Sequence, residues 1–376
     1  MPTNQLTPTG PRGANGSSTV QAVLTVLAGN PIAETAAHAY LDTAVLSDAV
    51  EMFRQAGIRA LTDAEETQAA QNCWQIYLEF ANWATAETTA AHQLRPLFQQ
   101  AESDGSLAGW WFIRKHPCWR LRLHAPPGGQ VEDTIGDALD QLTAAGHLAR
   151  WWPGVYEPET TAFGGGPAMA SAHRLFHADS RAILDSTPHG DVPLRRPEMS
   201  VLLITTLLTA AGLERYEQGA VWDHVCRERP LPTDVTPEQT TRITNDLHYL
   251  LFADTSADGP LFGIGTPLES AAAWADSFRR VGRDLRERAL AGTLERGLRL
   301  VLSYHVIFHW NRLGIPPRMQ AALAHSARYA ILGTHPRRAP ATERADPGRV
   351  QPTSSPNGAA NRWTRHFDEQ GPAHAF

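Results

Sequence analysis

The spacing of apolar side chains at the start of the chain predicts helices. Over residues 19–62 apolar residues recur at helical intervals, and Gly29 and Pro31 separate the first two helices. Asp42 is placed to cap a third helix, which is expected to end at Phe53. Three short helices of this spacing are helix-turn-helix-like, which is typical of segments that contact DNA or a leader peptide. The stretch is acidic with few arginines, however, which favours a helical cap packed on the main domain.

Beyond this segment the pattern changes to an alternation of apolar and polar residues, which is typical of half-buried strands. The alternating stretches are 75–80, 110–115 and 120–125, and a tight His-Pro-Cys connection between the last two predicts a hairpin. Helical spacing returns over 86–102 and 131–150. A strand, a helix, a hairpin and a helix in this order predict an α+β layer whose sheet is covered by helices on one face.

The rest of the chain is expected to be mainly helical, with a long element over about 272–313. Residues 1–18 and 336–376 are rich in small and polar residues and in proline, so both are predicted to be disordered. The main domain is therefore expected to span 70–335. The predicted fold class is α+β, with a mixed or antiparallel sheet covered by helices, a helical C-terminal half and a small N-terminal helical segment.

Charge and composition exclude several classes of function. The chain has 376 residues with 33 basic and 39 acidic side chains, and its net charge of -6 argues against nucleic-acid binding through the phosphate backbone. No apolar run reaches the ~18 residues of a membrane helix, and the N-terminus lacks the pattern of a secretory signal. Three widely spaced cysteines without a Cys-x-x-Cys pair fit a reduced protein and provide no zinc ribbon. A soluble, cytoplasmic protein is predicted.

The basic side chains are almost all arginines, with Lys115 as the single lysine. Arg120 and Arg122 alternate with Leu121 and Leu123 in a predicted strand, so the two arginines project from one face and the two leucines from the other. Two guanidinium groups on a shared face form a fork suited to a carboxylate or a phosphate. A strand face with solvated arginines is the alternative, and the spacing leaves both interpretations open.

A second group of candidates follows a run of three glycines that ends at Gly166. If 168–184 is helical, His173, His177 and Arg181 share one face because they are spaced by single turns. The glycines permit positive φ angles, and they precede a predicted helix whose N-terminus would favour anions. No phosphate-loop motif is present. A helix surface of mixed charge is the alternative.

A third group lies on a strongly apolar helix that Gly314 ends. His305 and His309 are one turn apart and Arg312 follows them, and burying these side chains among Val, Ile, Phe and Trp is costly without partners. A metal would need further ligands, and neither a His-Glu-x-x-His motif nor a cysteine pair supplies them, so no metal site is predicted. A satisfied core histidine and a histidine that transfers protons near neutral pH both stay open.

Four stretches, taken in order, resemble the C-terminal elimination domain of lantibiotic dehydratases. They read FIRKHPCWRLRL, FHADSRAIL, SVLLITTLLTAAGLERYEQGAVWDHVCRERP and HVIFHWNRLG. The chain is more closely similar to the stand-alone thiopeptide-type bacteriocin biosynthesis proteins of split dehydratase systems, and its opening helices resemble the N-terminus of those proteins. The resemblance implies an elimination-type catalytic domain over 70–335.

The resemblance also implies a lyase reaction. A separate tRNA-dependent protein transfers glutamate onto Ser or Thr hydroxyls of a ribosomal precursor peptide, and the elimination protein removes the glutamate to leave dehydroalanine or dehydrobutyrine. The implied partners are that peptide and the glutamylating protein, with no cofactor, no membrane and no direct contact with nucleic acid; a homodimer is left open. The chemistry needs removal of a Cα proton and stabilisation of a departing carboxylate, tasks for an acid–base histidine and for arginines.

The two arginines of the family's Arg-x-Arg strand correspond to Arg120 and Arg122. The arginine of the family's FHADSR-like motif corresponds to Arg181. The histidine before Asn-Arg falls on His309. The implied roles are binding and polarising the glutamyl ester for the three arginines, and proton transfer for His309. The supporting residues expected to bind the substrate are Arg114, Asp179, His305 and Arg312, of which Arg114 and Asp179 orient the site.

Two alternatives come from other classes of function. Relatives of the same fold are pyridine synthases, which join two dehydroalanines in a formal cycloaddition during thiopeptide maturation, and they are degenerate at the arginine-rich strand that this chain keeps. The other alternative is a catalytically silent scaffold that binds the peptide and recruits the glutamylating partner. Intact arginines disfavour the scaffold.

Overall fold

The computed structural model describes residues 14–71, 73–126, 131–187 and 194–333. The chain divides into two compact units, one that ends at Glu66 and one that begins at Thr67. The tail predicted over 336–376 lies outside the described residues. None of the described helices is long and apolar enough to cross a membrane.

The N-terminal unit is built on three helices, as the spacing predicts. They are α1 (Ala14–Leu27), α2 (Ile32–His38) and α3 (Thr43–Gln71). Asp42 caps α3 as expected, since its Oδ1 accepts a hydrogen bond from the Ala44 N–H at 2.8 Å. The predicted end at Phe53 is wrong, because the residues beyond it are mainly Ala, Gln, Glu and Arg, which favour helix, and the lone Gly57 does not interrupt them. α1 begins inside the arm predicted to be disordered.

The second unit opens with a β-α-β-β-α-β segment. Its elements are β1 (Cys73–Phe80), α4 (Ala86–Thr89), a π-helical turn (Ala90–Leu94), α5 (Arg95–Ser103), β2 (Gly109–Lys115), β3 (Cys118–His124), α6 (Val131–Ala144) and β4 (Leu148–Gly154). The strands form an antiparallel sheet in the order β2-β3-β1-β4, which is the order of a split βαβ arrangement. The predicted α+β class and the predicted hairpin of β2 and β3 are confirmed.

The two faces of the sheet differ in character, because successive side chains of a strand point to opposite sides. One face packs in the hydrophobic core. Its buried side chains include Ile76, Leu78, Phe112, Leu121 and Leu123. The other face, called the polar face below, carries Gln75 and Tyr77 on β1, which pair across the strands with Arg122 and Arg120 on β3. The two arginines therefore share one face, as predicted.

Two predicted helices have the wrong extent. The helix expected over 131–150 ends at Ala144, because Gly146 takes a positive φ of 75° and the chain then enters β4. The long element expected over 272–313 is two helices, since the chain turns at Gly292, where φ is 69°.

The remainder of the second unit is helical. Its helices are α7 (Thr160–Phe163), α8 (Gly166–Ser186), α9 (Arg196–Ala210), α10 (Arg215–Glu228), α11 (Pro237–Leu251), α12 (Ala272–Leu290), α13 (Leu298–Leu313) and α14 (Pro317–Leu332). α8 lies along the edge strand β2 and satisfies its backbone: Nδ1 of His177 is 3.1 Å from the Trp110 nitrogen and 3.0 Å from its oxygen. Ser180 Oγ accepts from the Phe112 N–H at 3.2 Å. α8 therefore joins the sheet to α12 and α13.

Candidate active site

Arg122 is a buried cation on the polar face of the sheet. It is 4% exposed, and its Nε donates a hydrogen bond to Oε1 of Gln75 at 3.0 Å. Its guanidinium carbon lies 5.0 Å from the centre of the Tyr156 ring. Burial lowers the pKa of Arg122, and the nearby Tyr156 and Glu159 oppose that shift. The guanidinium is thus oriented by one hydrogen bond and by an aromatic ring.

Arg120 continues the same surface. Its guanidinium carbon is 5.7 Å from the centre of the Tyr77 ring, and that ring is stacked on Trp152 with the ring centres 5.2 Å apart. Neither Arg120 nor Arg122 forms an ion pair with a carboxylate of the described residues. Glu159 interacts with Arg122 through its charge without forming an ion pair, so both guanidinium groups are suited to an anion from outside the chain.

A tyrosine–histidine pair borders the two arginines. Tyr156 follows β4, and its hydroxyl oxygen lies 2.7 Å from Nε2 of His173 on α8. The imidazole is stacked on Trp111, with the ring centres 4.6 Å apart and the planes at 27°. Burial and then the charge of Arg122 lower the pKa of His173 to about 3, whereas burial raises the pKa of Tyr156. At neutral pH a protonated phenol and a neutral imidazole therefore share this hydrogen bond.

Asp179, His309 and Arg312 form a second polar cluster, which lies in the helical core. All three are 0% exposed. The Asp179 carboxylate lies 2.9 Å from Nδ1 of His309 and accepts from Nε of Arg312 at 2.6 Å and Nε1 of Trp274 at 2.9 Å. Burial alone raises the pKa of Asp179, but the charges of His309 and Arg312 outweigh burial and lower it. The cluster connects α8, α12 and α13.

His305 precedes His309 by one turn of α13 and is 1% exposed. Its ring packs edge-on against Phe163 with the ring centres 4.9 Å apart, and neither of its nitrogens has a hydrogen-bond partner among the described residues. Burial, followed by the charge of Arg312, lowers the pKa of His305 to about 3, so the ring is neutral. Within the described ranges, no group of three or more His, Cys, Asp and Glu side chains is arranged to hold a metal ion.

Arg181 lies on the same helix as His173 but two turns further along, about 12 Å on the helix axis. Its side chain is 49% exposed and its Nε is 3.7 Å from the Asp185 carboxylate. The structure thus places Arg181 beside Asp185, and it does not bring Arg181 into the group around Arg122.

Arg114 projects from the apolar face of the sheet, opposite to Arg120. Its guanidinium carbon is 4.7 Å from the centre of the Trp119 ring, and it forms an ion pair with Glu87. Glu87 also accepts hydrogen bonds from Arg196 at 2.6 Å and from the Thr187 hydroxyl at 2.6 Å. The role of Arg114 in this structure is to connect β2 with the helices.

The glycines before α8 allow close packing. Gly164 and Gly165 have φ angles of 89° and 108°, as the sequence predicts, and α8 begins at Gly166. A Cβ atom at Gly164 would lie 2.7 Å from the Leu294 side chain, and the Gly164 carbonyl accepts from the Glu295 N–H at 2.9 Å. The turn therefore binds the loop before α13 rather than presenting its backbone to an anion.

Comparison with known proteins places this geometry in a family. Residues 73–331 match the family described as lantibiotic biosynthesis dehydratase, C-terminal. The chain belongs to this family. Among solved structures it is similar to the tRNA dependent lantibiotic dehydratase MibB from Microbispora sp. 107891, with a TM-score of 0.51 and 19% sequence identity. That match covers 70% of this chain and 28% of MibB, so the chain corresponds to under a third of the MibB structure and shares its fold. No curated protein matches the chain significantly.

The residues that the resemblance assigns to one site form two groups, and no hydrogen bond or ion pair among the described residues joins them. Arg120 and Arg122 are together on the polar face. Asp179, His309 and Arg312 are together in the helical core.

Three residues around Arg122 were not predicted from the sequence to be parts of the site. Gln75 and Tyr156 carry no local motif, and they reach Arg122 only through strand pairing and the turn after β4. His173 was marked by helical spacing alone, and that spacing pairs it with His177 rather than with a tyrosine outside the helix.

Proposed function

We propose that the chain removes glutamate from glutamylated Ser or Thr residues of a ribosomal precursor peptide, leaving dehydroalanine or dehydrobutyrine. The observation that carries this proposal is the Arg120–Arg122 pair, in which two guanidinium groups share a sheet face and neither forms an ion pair with a carboxylate of the described residues. Membership of the lantibiotic dehydratase C-terminal family supports a reaction of this class.

The arginine pair suits both ends of the departing group. Glutamate held through an ester offers one free carboxylate, and the ester itself becomes a second carboxylate when the bond to Cβ breaks. Arg122, oriented by Gln75, presents its remaining N–H groups to one of these, and Arg120 supplies a second fork. Contacts that strengthen as negative charge develops on the leaving oxygen lower the barrier.

The proposed partners follow from this reaction. A tRNA-dependent glutamylating protein supplies the modified precursor peptide, and the product enters thiopeptide, lanthipeptide or related peptide biosynthesis. The similarity of the fold to MibB, a tRNA dependent lantibiotic dehydratase, supports this proposal.

The roles that the resemblance gives to His309 and Arg181 stay proposals. His309 is oriented through Nδ1 by Asp179, and its Nε2 has no partner among the described residues, a pattern compatible with proton transfer. Arg181 would reach a substrate only by leaving Asp185.

The test is chemical. A synthetic peptide with one glutamylated Ser is incubated with the protein, and loss of glutamate is followed by mass. We expect loss with wild type and a decrease of about 100-fold or more in Arg120→Ala and Arg122→Ala. Arg150→Ala is the matched control, since Arg150 is an exposed arginine of β4 whose Nε pairs with Glu79 at 2.7 Å. It is expected to react like wild type.

Two results would contradict elimination. One is no loss of glutamate with wild type, and the other is a wild-type rate in the Arg120→Ala, Arg122→Ala double variant. A dehydrated linear peptide tests the alternatives in parallel: ring formation would favour a pyridine synthase, and tight binding without any reaction would favour a scaffold.

A further inference from the structure

We propose that Tyr156 and His173 form the proton-transfer pair that takes the Cα proton of the glutamylated residue. This inference rests on the proposed function and adds two residues that neither the motifs nor the comparisons assign. It starts from the contact between the Tyr156 hydroxyl and Nε2 of His173 at 2.7 Å, beside the buried guanidinium of Arg122.

Both rings of the pair are held by their surroundings. The imidazole of His173 is stacked on the buried Trp111, which pairs with Arg122 across β2 and β3. The Tyr156 ring lies against the Arg122 guanidinium. Positions fixed by stacking and by strand pairing keep a donor and an acceptor in reacting geometry without a cost at the moment of reaction.

The direction of the internal hydrogen bond sets the chemistry. The step requires the neutral tautomer of His173 that carries its proton on Nδ1, in which Nε2 accepts the hydrogen bond of the phenol. The Cα–H bond breaks, and its proton passes to the Tyr156 oxygen while the phenolic proton moves to Nε2 of His173. The electron pair of the Cα–H bond is first held on the adjacent carbonyl group as an enolate. It then forms the Cα=Cβ double bond as the Cβ–O bond breaks. Glutamate leaves as a carboxylate beside Arg122, and the His173 imidazolium later releases its proton to water.

Binding of the substrate is expected to activate the pair. The charge of Arg122 opposes protonation of His173, and a bound carboxylate neutralises that charge. The other titratable groups that face the pair are His124 on β3, Cys73 on β1 and Glu159 before α7. Of these groups Arg122 is the one to which the carboxylate is proposed to bind, so we expect the change in proton affinity of His173 to come from Arg122.

The experiment separates proton removal from glutamate loss. A peptide carries a glutamyl group on 2,3-diaminopropionate through an amide, which leaves slowly, and uptake of deuterium at its Cα from D₂O is measured by mass. We expect exchange with wild type and a decrease of about 100-fold or more in Tyr156→Phe and His173→Gln. Tyr304 packs, like Tyr156, against the hydrophobic cluster that contains Trp111. The variant Tyr304→Phe removes its hydroxyl and is expected to exchange like wild type. Each variant is checked for an unchanged melting temperature and for binding of glutarate within about twofold.

A measurement on wild type alone covers the case in which a variant fails to fold. NMR of ring-labelled histidine follows the titration of His173 with and without saturating glutarate, and a higher midpoint with glutarate is expected. Two results would overturn the proton-transfer pair while elimination stands. One is that both Tyr156→Phe and His173→Gln keep the wild-type rate of exchange, the wild-type rate of glutamate loss and the wild-type pH profile. The other is that glutarate leaves the midpoint of the His173 titration unchanged. Failure of wild type to release glutamate from any glutamylated peptide would instead overturn the proposed function.

Discussion

Gln75 and Arg122 are paired across β1 and β3, and the amide oxygen of Gln75 accepts the Nε–H of Arg122 at 3.0 Å. This contact leaves the outer nitrogens of the guanidinium as the groups that face a ligand. The amide of Gln75 also donates from Nε2 to the Val155 carbonyl at 3.0 Å. One neutral side chain thus orients the cation and the turn that carries Tyr156.

Gln75→Leu is expected to weaken binding of the glutamyl carboxylate. A hydrogen bond to a charged group contributes about 1.5–3 kcal/mol, so we expect KM for a glutamylated peptide to rise roughly 10-fold or more, with a smaller change in kcat. Steady-state kinetics and glutarate titration measure both. An unchanged KM would show that Gln75 does not orient the arginine in the reacting complex.

Gln75→Glu is the informative companion variant. A carboxylate in this position supplies Arg122 with an internal counter-ion but loses the hydrogen bond to the Val155 carbonyl, so glutarate binding is expected to be lost without a gain in the free energy of unfolding. Denaturant titration and calorimetry check the two effects. Retained glutarate binding would show that the anion site does not depend on an unneutralised Arg122.

Asp179→Asn is expected to destabilise the second unit strongly. The variant leaves Arg312 buried at 0% exposure with no anionic partner in the cluster, and breaking such a buried pair costs about 3–5 kcal/mol. Urea denaturation followed by tryptophan fluorescence measures the loss. Asp234→Asn is the control, because its ion pair with Arg318 is exposed, and it is expected to unfold at nearly the same urea concentration as wild type.

His309→Gln distinguishes a role in stability from a role in proton transfer. Since His309 is buried and bonded to Asp179, we expect the free energy of unfolding to fall by about 1–3 kcal/mol. The kcat of the folded protein is expected to change less than threefold, because His173 and not His309 borders Arg122. A decrease of about 100-fold in kcat at full folding would assign proton transfer to His309, as the family resemblance implies.

Glu87 makes stability depend on pH in the acid range. Burial alone would raise its pKa, but hydrogen bonds and charge from Arg196 and Arg114 lower it to about 2. The folded pKa lies below the ordinary value of 4.5, so the contribution is complete above pH 4.5 and is lost as the pH falls toward 2. Denaturant midpoints between pH 6 and pH 2 should therefore fall less steeply in Glu87→Gln than in wild type. Parallel curves would contradict this.

Local patterns predicted much of the sheet and part of the site. Alternation marked β1, β2 and β3, whereas β4 was missed and its first three residues were included in the helix predicted over 131–150, because its Leu-Ala-Arg-Trp-Trp-Pro-Gly sequence has no clean period. The glycine turn and Asp42 cap were readable because each depends on a few neighbouring residues. The break at Gly292 was missed, since the residues on both sides of it favour helix.

The sequence by itself determined that Arg120 and Arg122 share a face opposite to Leu121 and Leu123. Side-chain direction in a strand follows from the parity of position alone, so no distant contact is needed for that prediction. The α+β class likewise followed from the order of the periodic segments.

Only the tertiary structure decided what meets the arginine pair. Tyr156 and His173 come from separate segments, and their contact depends on the register of β4 on β1 and on the packing of α8 against β2. The role of His309 was equally ambiguous from spacing, because the spacing shows which helix face a residue lies on but not which element packs against that face. Packing against α8 gave it Asp179 as its partner, whereas His173 became the histidine beside Arg122.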